Sequence, residues 1–173
     1  MLLRVAATAL LALATFAAQA GEVTVSAAAS LTNALREVAP LFERAHPGTR
    51  LQLNSGASGA LLAQIAKGAP VDVFVSADPE TMDRAQAQGL VMAAQRRDVV
   101  SNTLVVVVPA AAAVRPRTLA ELATPAWGRI AIGLPASVPA GRYAQAVLEA
   151  ANLWAAIAPK TIGATNVRQA LDY

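Results

Sequence analysis

The sequence predicts an α/β fold in which mainly parallel sheets are flanked by helices, and two observations support this. Short runs rich in Val, Ile, Leu and Thr alternate with longer segments rich in Ala and Leu, the usual pattern of strands connected through helices. Glycine and proline mark the helix boundaries: Pro79 follows a capping residue at one helix start, and Gly89 ends that helix. We therefore expect strands and helices to alternate along the chain.

The individual elements can be read from local composition. The strand-like runs share β-branched and aliphatic residues and lie at 22–27, 50–55, 71–76, 103–108 and 129–133. The helical segments between them lie at 31–45, 60–67, 79–88, 119–123, 141–153 and from 167 onward. Prolines flank residues 109–116, which we interpret as a surface loop.

The first 20 residues resemble a secretory signal peptide. Arg4 supplies the positive charge, an apolar run follows, and Ala18-Gln19-Ala20 forms a small-residue cleavage site. The apolar run is shorter than the roughly 20 residues that span a bilayer. We expect cleavage before Gly21 and a periplasmic location, with an N-terminal membrane anchor or a buried first helix as the alternatives.

Charge and cysteine content narrow the class of protein. The net charge of +3 is small, and Arg96-Arg97 is the only basic pair, so the chain lacks the Lys/Arg blocks of nucleic-acid and membrane binders. We expect no nucleic-acid partner. There are no cysteines, so an exported protein of this sequence has to fold through core burial without disulfides.

Two loops are built from small and hydroxyl residues and join a strand to a helix start, at 27–33 and 54–60. Ligands of open α/β sheets bind at such strand ends, where helix starts present free N–H groups. Ser30 and Ser58 are the candidate donors in these loops. The alternatives stay open: taken alone, Ser30 fits an ordinary N-cap better than a ligand donor, and Ser58 fits a flexible Gly-flanked turn as well as a donor.

Neither loop carries a charge, and the same holds for a third candidate loop at 138–141. Each helix start is equivalent to about half a positive charge, so three or four converging starts roughly offset a dianion. A site that consists of such donors favours a fully ionised oxyanion, because the proton of a partly protonated oxyanion is itself a donor. For Ala140 and Val167 the residues themselves indicate only a helix start.

Five segments together resemble the periplasmic molybdate-binding proteins of ABC transporters, a family of solute-binding proteins, over residues 23–173. They occur in order and at family-like spacing: AAASLTNA at 27–34, SGASG at 55–59, GAPVDVFVSAD at 68–78, VPAGRYA at 138–144 and NVRQAL at 166–171. The resemblance implies a two-lobed periplasmic-binding-protein-like fold, with a first lobe at 21–98 and an incomplete second lobe at 99–173.

The resemblance also implies a ligand and its donors. Ser30 and Ser58 would bind molybdate through hydroxyl and N–H groups, and Ala140 and Val167 would offer backbone N–H groups from the second lobe. Tungstate would bind as well, molybdenum would enter only as the oxyanion, and no cofactor is expected. The partner would be the membrane permease of an ABC importer, and the protein itself a monomer.

Three further expectations follow from the resemblance. The family's site normally includes a tyrosine beyond Tyr173, so the chain is interpreted as a fragment that binds poorly or folds unstably. Asp78 is interpreted as a helix cap and Asp72 as a strand residue, both structural rather than ligand-binding.

Other functions remain as alternatives. A sulfate- or other oxyanion-binding protein of the same class differs only in cavity size. A periplasmic oxyanion-ester hydrolase is disfavoured because His46 is the only histidine and no G-x-S-x-G motif is present. The effector domain of a transcription regulator is disfavoured by the signal peptide and the lack of DNA-binding helices.

Overall fold

The structure is a computed structural model that describes residues 21–173. The signal-peptide prediction for residues 1–20 therefore lies outside the described part of the chain. Within that part, no helix is both long and apolar enough to cross a membrane.

The first sheet contains three parallel strands in the order β2-β1-β3. Strand β1 (Gly21–Ala28) lies at the centre, between β2 (Thr49–Gly56) and β3 (Val73–Val75). The carboxyl half of β1 is buried, and its alanines leave room for helices to approach the sheet. The helices of this part are α1 (Thr32–Ala45), α2 (Ser58–Ala66) and α3 (Pro79–Ala87).

The second sheet contains two parallel strands, β4 (Ile130–Gly133) and β5 (Thr161–Ala164). Its helices are α4 (Pro139–Ala150), α5 (Trp154–Ile157) and α6 (Val167–Asp172). The predicted α/β class with parallel sheets flanked by helices is confirmed. The lobe boundary between residues 98 and 99 stays a prediction.

Most predicted elements are found within a few residues of their expected bounds, but one predicted strand is absent and one strand was missed. Residues 103–108 form no strand, and Leu104, Val105, Val106 and Val107 are exposed. A β-branched run becomes a strand only when a neighbour pairs with its N–H and C=O groups, and no strand of residues 21–173 does so. Strand β5 was missed because it is only four residues long, and Gly163 and Ala164 offset the strand preference of Thr161 and Ile162.

Short 3-10 turns complete the chain at Ala29–Leu31, Ala93–Gln95, Leu119–Ala123 and Ala158–Lys160. A compact apolar cluster supports the second sheet and consists of buried Leu122, Leu148 and Ile157. Trp127 and Trp154 pack against it. This cluster holds α4 and α5 together beside β4.

Lys160 connects the end of this unit to the turn Leu119–Ala123. Its Nζ donates to the carbonyl oxygens of Ala123 and Thr124 at 2.7 Å each, and to that of Leu122 at 3.4 Å. Carbonyls at the end of a helical turn have no partner within the turn, so the ammonium group satisfies them.

We expect Lys160→Met to lower the free energy of unfolding by about 2 kcal/mol, because hydrogen bonds from a charged donor are lost while the apolar stem is kept. Urea denaturation would measure the change. The exposed Lys67, the other lysine of the chain, provides the control as Lys67→Met. Equal midpoints for the two variants would contradict the prediction.

Candidate functional site

The loops that follow the strands lie at a common edge of each sheet. In the first sheet Ala28 pairs with Gly56, so the segments that carry Ser30 and Ser58 leave the sheet side by side. In the second sheet Gly133 pairs with Ala164, which places the starts of α4 and α6 side by side in the same way. Each parallel sheet thus brings two helix starts together.

Contacts between the two sets of loops bring the four helix starts close together, around a region that we call the crevice. The Gly59 N–H donates to the Ser137 carbonyl at 3.2 Å, which joins the start of α2 to the loop before α4. Helix α6 packs against the turn Ala29–Leu31. On that side Arg168 Nη2 donates to Asn33 Oδ1 at 2.5 Å.

Ser58 is the first residue of α2 and is buried, with 1% of its surface exposed. Its Oγ accepts a hydrogen bond from the Ala77 N–H at 2.9 Å. Because that bond uses an oxygen lone pair, the hydroxyl proton stays available for an acceptor. The flexible-turn alternative for Ser58 was wrong, since the residue is held inside the first turn of a helix.

Ser30 lies in the turn Ala29–Leu31 and is exposed. The N-cap alternative was wrong for this residue: the cap positions of the turn and of α1 are Ala28 and Leu31, and neither makes a side-chain cap bond. Ser30 is therefore an exposed residue of this turn without a capping role.

The starts of α4 and α6 present backbone amides. Pro139 is the first residue of α4 and has no N–H, so the Ala140 amide is the first donor of that helix. At α6 the Asn166 side chain accepts from the amides of Arg168 at 2.9 Å and Gln169 at 3.1 Å. The cap thus takes the second and third amides and leaves that of Val167, the first residue of the helix.

The structure corrects the roles expected for two aspartates. Asp78 occupies the N-cap position of α3 but makes no side-chain cap bond. Its buried carboxylate contacts Arg142 Nη2 and accepts from Ser76 Oγ at 2.9 Å, because the arginine offers a stronger, charged partner. Asp72 lies just before β3 and is exposed, and its Oδ2 accepts the Thr24 N–H at 2.8 Å.

Sequence reasoning did not predict the contact of Arg142 with Asp78. Arg142 lies in the first turn of α4, where the helix dipole disfavours a cation, and this mismatch was the available signal. Burial raises the pKa of the neighbouring Tyr143 hydroxyl above its ordinary value, and the Asp78 charge raises it further.

His46 follows α1, is exposed, and stacks on Phe42 with ring centroids 4.3 Å apart, which confirms its surface position. Among residues 21–173 no group of three or more His, Cys, Asp or Glu side chains could hold a metal ion.

A cavity of about 50 Å³ lies away from the four helix starts, between α2, α3 and β3. It is lined by apolar residues such as Leu62 and Phe74, and by Asp72.

Two parallel sheets whose strand ends carry adjoining helix starts are the architecture that comparison with known proteins has to explain. The family model of bacterial extracellular solute-binding proteins matches residues 23–173, and the chain belongs to this family. It is therefore a member of a family of transport components.

Several relatives are known. The molybdate-binding protein ModA of Escherichia coli (strain K12) is 38% identical over 160 residues, which cover 89% of this chain and 61% of that protein. Haemophilus influenzae ModA, also a molybdate-binding protein, is 35% identical over 162 residues, 90% of this chain and 62% of that protein. The chain thus spans about three fifths of the length of these curated relatives.

A solved structure shares the fold. The periplasmic molybdate-binding protein of Azotobacter vinelandii matches with a TM-score of 0.67 at 24% identity, over 87% of this chain and 65% of that one. At this identity the likeness bears on the fold alone.

Proposed function

We propose that this protein captures molybdate outside the cytoplasm and delivers it to the membrane permease of an ABC importer. Tungstate, which has the same shape and charge, is the expected second ligand. The proposal includes a periplasmic location reached through the signal peptide at residues 1–20, a monomeric state, no cofactor and no catalytic activity. The names of the E. coli and H. influenzae relatives support the choice of anion.

The observation that carries the proposal is the meeting of four helix starts whose donors are uncharged. Ser30, Ser58, Ala140 and Val167 supply hydroxyl and amide groups, and each helix start adds about half a positive charge. The arginines in the first turns of α4 and α6 pair with Asp78 and Asn33 instead. A dianion between the sheets would therefore be held by fixed dipoles.

Calorimetric titration of the complete gene product with molybdate, tungstate, sulfate and phosphate tests the proposal. We expect tight binding of molybdate and tungstate and much weaker binding of the other two anions. Sulfate binding as tight as that of molybdate would change the proposed substrate to another oxyanion of the same class. The absence of binding of any of the four would refute anion capture.

Two serine variants test the site. Ser30→Ala and Ser58→Ala should each weaken molybdate binding about 10- to 100-fold, because a hydrogen bond to a charged acceptor contributes about 1.5–3 kcal/mol. Ser58→Ala should also lower stability, since it removes the acceptor of the Ala77 N–H. Thr118→Ala, which removes an exposed hydroxyl before the turn Leu119–Ala123, is the control. Wild-type affinity in both serine variants would remove these residues from the site.

A further inference from the structure

Arg142 connects the second sheet unit to the first. From the first turn of α4, its Nη2 contacts Asp78 Oδ2 and lies 3.2 Å from Thr81 Oγ1. Its Nε lies 3.2 Å from Glu80 Oε2, close enough for an ion pair although not aligned as a hydrogen bond. All three partners belong to the start of α3, 61 to 64 positions earlier in the chain.

The ion pair between Arg142 and Asp78 matters for stability because the carboxylate is buried. The Asp78 side chain is fully buried, and Thr81 is also inaccessible, whereas 19% of the Arg142 side chain is exposed. A buried carboxylate needs a paired cation, and removal of one partner leaves an uncompensated charge. Since a cation at the start of α4 opposes the dipole of that helix, the benefit of Arg142 comes from the pairing across the crevice.

The same contact links two of the proposed ligand donors. Ser58 Oγ accepts from the Ala77 N–H, and Ala77 precedes Asp78 in the chain. Asp78 contacts Arg142, which lies two residues after Ala140 in the same helix turn. A continuous path of bonds therefore runs from the Ser58 hydroxyl to the Ala140 amide.

We propose that Arg142 is a positioning residue that holds the Ala140 amide in place against the Ser58 side of the crevice and thereby sets the lifetime of the anion complex. This inference rests on the proposed function. Arg142 does so through Asp78 and Thr81 and makes no contact with the anion. A residue that connects the two sides of the crevice acts on dissociation of a bound anion more than on its encounter with the protein.

Stopped-flow measurement of molybdate association and dissociation tests the proposal in the complete gene product. We expect Arg142→Met to raise the dissociation rate at least about tenfold while the association rate changes less than about threefold. Arg142→Lys should recover part of the loss, because a lysine keeps the charge but lacks the planar fork that reaches Asp78 and Thr81 together. Arg84→Met is the control, since Arg84 donates to the same Thr81 at 3.4 Å from within α3 and does not cross the crevice.

A double-mutant cycle with Asp78→Asn keeps the test decisive if Arg142→Met folds poorly. The double variant removes both charges and should be more stable than Arg142→Met alone, and its dissociation rate should be close to that of the single variants. Additive effects of the two substitutions on dissociation would overturn the proposal, and so would an unchanged dissociation rate in a folded Arg142→Met protein.

Small-angle X-ray scattering without ligand separates this inference from the proposed function. If wild-type protein fails to bind molybdate, the proposed function is wrong. The bridging role then stands if Arg142→Met has a larger radius of gyration than wild type and Arg84→Met, and falls if the three are equal.

Discussion

Gly141→Ala is expected to lower the free energy of unfolding by about 3 kcal/mol or more. A Cβ atom at Gly141 would lie 2.0 Å from the Gly133 carbonyl oxygen and 2.6 Å from its carbonyl carbon. Both are backbone atoms at the end of β4, so no side-chain rotation can relieve the overlap. Helix α4 would have to move away from the sheet, and the Ala140 amide would move with it.

Chemical denaturation followed by circular dichroism measures this effect. Gly128→Ala is the matched control, because a Cβ at Gly128 meets nothing within 4 Å. The control should keep its stability within about 0.5 kcal/mol. A Gly141→Ala protein as stable as the control would show that α4 does not need its close approach to β4.

Gly59→Ala is expected to weaken molybdate binding about 10- to 100-fold while the melting temperature changes little. A Cβ at Gly59 would lie 2.8 Å from the Ser137 carbonyl oxygen and 3.2 Å from the Ser137 Cα. This backbone contact joins the two sides of the crevice, so its disruption would separate Ser58 from Ala140. Alanine also favours a helix over glycine by about 1 kcal/mol, which offsets part of the local cost to stability.

Titration calorimetry and thermal melting of the same preparation separate the two effects of Gly59→Ala, again with Gly128→Ala as control. Unchanged affinity would mean that the loop at Ser137 moves aside without a change at the ligand donors. A large fall in melting temperature would mean that the contact supports the fold rather than the crevice.

Gly59 and Gly141 show which features of the site can be predicted from neighbouring residues and which cannot. Gly59 and Gly141 lie in the candidate loops at 54–60 and 138–141, and a helix start was predicted at the end of each loop. The backbone atoms that exclude a side chain at these positions come from Ser137 and Gly133, which could not be identified without the folded chain. The sequence therefore predicted the loops in which these two glycines lie, but not that a larger residue is excluded there.

The strands show that local residue preference does not decide which segments pair in a sheet. The run at 103–108 has strong strand preference and forms no strand, whereas Thr161–Ala164 has a mixed preference and pairs along its full length with β4. Pairing depends on the presence of a neighbouring strand. The residues of a segment do not show whether the folded chain places such a neighbour beside it. Helices were predicted better because their hydrogen bonds close within the segment itself.

By itself, the sequence determined the alternation of strands and helices, the positions of most helix starts and the absence of charge from the candidate loops at 27–33, 54–60 and 138–141. These properties depend on a few neighbouring residues, through capping, proline and glycine. Only the tertiary structure decided that Arg142 pairs with Asp78 across 64 positions, and that Asp78 does not cap its helix. A buried charge takes the partner that the packed chain places nearest, and that choice is made by the whole fold.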